Sequence, residues 1–137
     1  MSSDAASVPV GFEPYENAGS FLDHVGPLHV RAADGVVGVR VEERHLNAGG
    51  SAMGGFLATV VDAALGRAIR DAADDDDPAV ATVSLTTDFL RPGPAGAWIE
   101  ARTAVEQLGG KLAFADCSLR AGDDEIVRAR AVFAVRT

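Results

Sequence analysis

Large apolar side chains recur at Phe56, Leu57, Val60, Val61, Ala64, Leu65, Ala68 and Ile69, the i, i+1, i+4, i+5 spacing of one helical stripe. The period predicts a long α-helix that starts at the glycines 54–55 and runs to about Ala72. At about 100° per residue, Asp62 points away from that stripe. Its neighbours on the far side, Gly55, Ala58, Thr59, Ala63 and Gly66, are small, and between Gly54 and Gly66 only Thr59 and Asp62 are polar. A helix of such low polarity is expected to be covered on most sides. A carboxylate there is costly unless something pairs with it or uses it.

Elsewhere the period shortens to two. Val37, Val39 and Val41 alternate with Gly38, Arg40 and Glu42, and a strand over Pro27 to Ala32 precedes them through an Asp34-Gly35 hairpin turn. After the helix, four strands are expected over Ala79 to Leu90, Ala97 to Gln107, Lys111 to Arg120 and Glu125 to Arg136. Arg91-Pro92-Gly93-Pro94, Gly109-Gly110 and Gly122-Asp123-Asp124 are the turns between them. In the first of the four, Ala81, Val83, Leu85 and Phe89 are expected on one face and Thr82, Ser84, Thr86 and Asp88 on the other. A short helix is expected from about Asn17 to His24. Residues 1–15, with Pro9 and Pro14, read as a flexible N-terminal arm ahead of a domain over 16–137. The order is helix, two strands, long helix, four strands, and its short connections favour antiparallel pairing. That is an α+β domain, one long helix against a curved antiparallel sheet of about six strands. One sheet layer cannot cover both sides of the helix, so a second subunit is the expected cover, with Asp62 near the seam.

Composition narrows the function. A chain of 137 residues with 47% hydrophobic and 23% charged residues suits one globular domain. A net charge of −8 argues against a nucleic-acid surface, though local arginines can still bind an anionic ligand. Cys117 is the only cysteine, so an intrachain disulfide is impossible, and His24, His29 and His45 lack metal-ligand spacing. No apolar run approaches a membrane span, and Met1 to Val8 lacks the pattern of a signal peptide, so a cytoplasmic protein is expected. The Asp74 to Asp77 run reads as a solvated loop, because the glycine and terminal glutamate of a calcium loop are missing.

The helix is entered through Asn47-Ala48-Gly49-Gly50-Ser51-Ala52-Met53-Gly54-Gly55. This stretch, with Asp62 and the later Thr82…Phe89-Leu90-Arg91-Pro92…Gly96, resembles the hotdog-fold acyl-CoA thioesterases of the phenylacetate-pathway type. Their motif is Asn, a glycine-containing loop, His-Gly-Gly and an Asp nine residues after the His. The six residues from Asn to His and the nine from His to Asp both hold here with Met53 at the histidine position, and the likeness covers about residues 20–136. It implies a hotdog fold and hydrolysis of a medium-chain or aromatic acyl-CoA without a cofactor. It further implies a homodimer or dimer of dimers with active sites between subunits.

Carried over by position, the resemblance makes Asp62 the nucleophile or general base and the Gly54 N–H the oxyanion donor. Asn47 would position water or the carbonyl, and Thr82 would come from the partner subunit to orient water. Met53 and Gly55 would line the substrate site, and Ser84, Arg91 and the Gly109-Gly110-Lys111 turn would hold coenzyme A. The chemistry is consistent: an N–H at a helix N-terminus stabilises charge developing on a carbonyl oxygen, and glycine allows close approach to the backbone.

Each residue also has a plainer reading. Asp62 can accept backbone N–H bonds, Asn47 is a common turn residue, Thr82 suits any strand and Cys117 suits packing. Arg128, Arg130 and Arg136 share one face of the last strand, which reads as solvated or inter-subunit. Methionine cannot donate the histidine's hydrogen bond, so a non-catalytic protein that binds acyl-CoA or fatty acid is the alternative. A hydratase ranks below both, since no histidine enters the helix turn.

Overall fold

The structure is a computed structural model and describes residues 7–73 and 78–136. Its elements are β1 (Phe12–Pro14), α1 (Ser20–Val25), β2 (His29–Arg31), β3 (Val36–Arg40), α2 (Gly54–Ala72), β4 (Ala79–Phe89), β5 (Trp98–Leu108), β6 (Leu112–Ala121) and β7 (Asp124–Arg136), with a 3₁₀ turn at Glu43–His45 before α2. The strands form one antiparallel sheet in the order β1-β2-β3-β5-β6-β7-β4. The chain thus leaves the sheet after β3, runs along α2 and re-enters at the far edge as β4. This is the expected α+β hotdog architecture. The Asp74 to Asp77 run lies outside the described residues.

The apolar stripe of α2 buries Phe56, Leu57, Val60, Val61, Ala64, Leu65 and Ile69 against one face of the sheet. From the sheet, Val37, Val39, Ile99, Ala101, Ala113, Ala115, Cys117, Leu119 and the alternate residues Val127 to Val135 of β7 meet it. Cys117 is packing, as expected, and burial pushes its thiol up to about 12. On the outer face Arg128 and Arg130 stand exposed beside Asp88 and Asp116. No helix among the described residues is long and apolar enough to cross a membrane.

Two findings depart from the expected pattern. The sheet has seven strands rather than six, because Phe12–Pro14 pairs with His29–Arg31 inside the segment read as a loose arm. Phe12 sets its ring edge-on to Trp98, 5.1 Å between centroids, above Gly38, where a Cβ would come within 2.3 Å of the indole. A short edge strand tolerates Pro14, which has no N–H to donate to the ladder.

The second departure is a β-bulge between Thr82 and Ser84 that leaves Val83 unpaired and 61% exposed. The extra residue reverses the side-chain alternation. Thr82 sits opposite buried Phe133, and beyond the bulge Leu85 and Thr87 sit opposite buried Ala131 and Ala129. The expected faces of this strand are therefore corrected. Thr82 joins Leu85, Thr87 and Phe89 on the helix side, while Ser84, Thr86 and Asp88 face outward.

Candidate active site

The entrance to α2 is shaped by its own glycine-rich loop. Asn47 accepts the Gly49 and Ser51 N–H groups on its side-chain oxygen at 2.9 and 3.2 Å, and Gly50 takes a φ of +89° that closes the turn. The loop is then pinned from both sides, by Ala52 N–H to the Gly93 carbonyl and by Met53 N–H to the His45 carbonyl, each at 2.8 Å. The first intrahelical bond is Leu57 N–H to the Met53 carbonyl at 3.1 Å, and Met53 supplies no side-chain cap. The N–H groups of Gly54, Gly55 and Phe56 therefore project from the helix start with no intrahelical acceptor. That end of the helix carries the positive pole of its dipole and favours a negatively charged oxygen.

Two turns further on, Asp62 is half-buried and accepts a 2.7 Å hydrogen bond from the Thr82 hydroxyl on its Oδ1. This contact is made within one chain. The resemblance implies a Thr82 that comes from the partner subunit to orient water, whereas here its hydroxyl donates to Asp62 of its own chain. The bulge at Val83 turns Thr82 inward and makes the contact. Oδ1 is thereby held, and Oδ2 has no protein donor among the described contacts. On the same side of α2, Gly55 is exposed and Ala58, Thr59 and Ala63 are half-buried, so this chain alone leaves that strip open.

The structure does not bring every expected site residue together. Eight residues separate Gly54 from Asp62, a helical rise of about 12 Å. The Gly54 N–H points further away along the axis, so an oxygen it binds lies beyond reach of the Asp62 carboxylate of the same chain. An attacking atom must come within about 3–3.5 Å of its carbonyl carbon. Arg91 follows β4, where Phe89, Val127 and Leu119 form one cross-strand row. The Gly109-Gly110-Lys111 turn lies at the other end of the sheet, next to the row of Ala81, Ala134 and Leu112. Seven strand residues, about 23 Å, separate the two rows. Ser84 faces away from Asp62 across the bulge.

Two clefts flank the helix entrance. One, of about 350 Å³, is lined by Asn47, Ser51, Gly54, Phe89, Arg91 and Gly93, among others. Arg91 donates to the Glu125 carbonyl at its edge. The other, of about 380 Å³, lies between α1 and α2 and includes Phe21, Val25, Met53, Gly55, Phe56 and Thr59. His45 builds its floor. This histidine is buried, stacks on Phe56 at 3.8 Å, accepts the Glu42 N–H on Nδ1 and so donates from Nε2 to the Val25 carbonyl at 2.6 Å. His45 thus has a packing role. Phe21, Val25 and Phe89 were not expected at the site. The sequence signals for the α1 cleft are the short helix expected from about Asn17 to His24 and the three-residue spacing from Glu42 to His45, which closes the capping turn.

The Thioesterase superfamily family model matches residues 49–128, from the glycine loop through α2 to the start of β7. This chain belongs to the thioesterase superfamily. A proposed esterase of Pseudomonas aeruginosa is 38% identical over 130 residues, covering 93% of this chain and 96% of its own length. Among solved structures, this superfamily member resembles the PaaI protein of the Escherichia coli phenylacetic acid degradation operon. That protein has a TM-score of 0.69 and is 26% identical over 75% of this chain and 72% of the other. A Bacillus halodurans protein solved with CoA has a TM-score of 0.77 over 86% of this chain and 77% of its own, and at 17% identity it shares the fold.

Proposed function

We propose that this thioesterase-superfamily chain hydrolyses the thioester of a medium-chain or aromatic acyl-CoA, and that each active site is shared by two copies. The observation that carries the reading is the Asp62 carboxylate, held by Thr82 on an open helix face, in a chain whose α2 also presents free amides at its start. Since one chain keeps these two parts about 12 Å apart, a homodimer completes the site. Asp62 and Thr82 come from one copy, and the Gly54 N–H and Asn47 from the other. Arg91, in the cleft with Gly54, then serves the coenzyme A phosphates together with the Lys111 turn of the copy that supplies Asp62.

Two routes use these groups. In one, Asp62 Oδ2 attacks the carbonyl carbon, the C–S bond breaks to release the coenzyme A thiolate, and water cleaves the resulting anhydride. In the other, Asp62 takes a proton from the water that attacks, and the thiolate leaves and is protonated. Both build negative charge on the carbonyl oxygen, where the partner's Gly54 N–H acts. Neither needs a cofactor.

The test is thiol release from a panel of acyl-CoAs, followed by mixed dimers. Asp62→Asn and Gly54→Pro chains are each expected to be nearly inactive. Co-expressed, they form heterodimers in which one site has both an intact Asp62 and an intact Gly54. Random mixing then restores about a quarter of wild-type activity, because half the dimers carry one good site. No thiol release from any acyl-CoA refutes the activity, and no recovery on mixing refutes the shared site.

Met53 favours a second reading. It stands where the resembling enzymes carry a histidine and cannot donate that hydrogen bond. A protein that binds acyl-CoA without cleaving it would show tight binding by calorimetry and return the thioester intact.

A further inference from the structure

The two clefts beside the helix entrance differ in chemistry, and that difference assigns the two ends of a thioester. The first sets Asn47, Ser51 and the Arg91 guanidinium among the apolar Leu57, Phe89 and Leu90. The second has an aromatic floor, the Phe56 ring stacked on His45, with Phe21 and Val25 of α1 on one side and Met53 on the other. Phe21 and Met53 are 62% and 54% exposed, two large apolar side chains left open to water in the same cleft. Paired apolar exposure of this kind is more informative than a single exposed leucine. The walls are fixed in place: the Val25 carbonyl is held by His45, and the His24 carbonyl by Arg44 Nη1 at 2.5 Å. Gly55 lines the cleft at the helix start, and a Cβ added there would meet nothing within 4 Å, so the helix start is open to the cleft.

We propose that this α1–α2 cleft is the acyl-binding subsite, with Met53 and Phe21 setting preference for an apolar acyl group. The assignment rests on the thioesterase reading above. The thioester carbonyl meets the N–H groups at the start of α2, the acyl chain turns across Gly55 onto the Phe56 ring, and coenzyme A leaves toward Arg91. A cleft of about 380 Å³ lies in the range of small-molecule sites, about 300–1,000 Å³. It is far larger than an acetyl group needs and suits an aromatic or medium-length chain. Met53 contributes a flexible apolar wall in place of a polar one. Arg44, His24 and Thr59, also in the lining, add polar groups to the cleft beside His45.

Two measurements on the full chain test this. The first is kcat/KM for a series of straight-chain acyl-CoAs from acetyl to dodecanoyl, for wild type and Phe21→Asp. Phe21 is exposed, so the variant is expected to fold, with thermal unfolding as the check. The second is calorimetric binding of the uncleavable thioethers S-ethyl-CoA and S-octyl-CoA to both proteins. Each buried methylene is expected to improve kcat/KM about three- to fourfold until the cleft is full. Octyl is expected to bind at least about tenfold tighter than ethyl in wild type. Phe21→Asp should flatten the first slope and cut the second ratio to below about threefold. A chain-length preference that survives Phe21→Asp overturns the subsite while leaving the thioesterase reading intact. If no acyl-CoA is cleaved, that reading fails and the thioether ratio still decides the cleft. Equal binding of ethyl and octyl thioethers by wild type overturns it.

Discussion

Replacing Gly54 by proline removes one N–H and puts a ring carbon in its place while leaving the helix intact. Gly54 is the first residue of α2, ahead of the first intrahelical bond, so no helical hydrogen bond is lost. Met53 has φ −60° and ψ 134°, the extended conformation that a residue before proline prefers. A Cβ at position 54 would lie 3.6 Å from the Phe89 ring, an ordinary contact. Fixing φ also removes freedom from the unfolded chain, worth about 0.4–1 kcal/mol where the native conformation fits. The variant should therefore fold with an unchanged or slightly raised Tm. Catalysis should suffer, because an oxyanion donor is typically worth about 10²–10³ in kcat, or about 2.7–4 kcal/mol. Gly54→Ala adds the Cβ and keeps the N–H, so the ratio of the two variants reports the loss of the donor together with the ring carbon that takes its place. The assay is steady-state thiol release from the best acyl-CoA, with unfolding curves in parallel. The expected kcat ratio of Ala to Pro is about 10² or more. A ratio below about threefold, with both variants folded, would refute the assignment of this amide to the developing oxyanion.

Other outcomes follow from single contacts. Thr82→Val deletes the 2.7 Å hydrogen bond to Asp62 and should lower kcat about tenfold or more, on the scale of a hydrogen bond to a charged group. Thr82→Ser should recover most of it, and equal kcat for Val and Thr would contradict the role. Gly38→Ala forces a methyl within 2.3 Å of Trp98 and should destabilise the fold by about 1–3 kcal/mol in denaturant titration. Cys117, buried with its thiol pushed up to about 12, should resist iodoacetamide at pH 8 in the native protein and react fully in guanidinium. The Glu125 carboxyl is held below its ordinary 4.5 by hydrogen bonds from the Ser118 hydroxyl and Arg128, each at 2.7 Å. A depressed folded-state pKa gives stability above the unfolded value that is lost as pH falls through the folded one. Wild type should thus lose more Tm than Glu125→Gln below pH 4.5, and parallel Tm curves would exclude the linkage.

Much of the architecture could be read along the chain. The 3.6-residue stripe from Phe56 to Ile69 predicts α2 to within a residue at each end, and the period-two runs place β3 and β5–β7 to within a residue or two. Those signals are legible because helix and strand periods follow from the backbone geometry of neighbouring residues. The glycine loop is legible for the same reason, since a left-handed turn at Gly50 is a local demand. β1 was not, because three residues that include Pro14 carry no period, and what holds them is a ring contact between Phe12 and the distant Trp98.

The sequence alone determined every element but β1, the apolar face of the helix and the residue types available for chemistry, all consequences of short-range geometry and of where oily side chains recur. Only the tertiary structure decided which of those residues meet. The bulge at Val83 turns Thr82 toward Asp62 in its own chain, cross-strand register sets Arg91 and Lys111 at opposite ends of the sheet, and α1 folds over Phe56 to form the apolar cleft. Pairings of this kind join residues far apart in the chain, and they depend on cross-strand alignment and packing that no local period records.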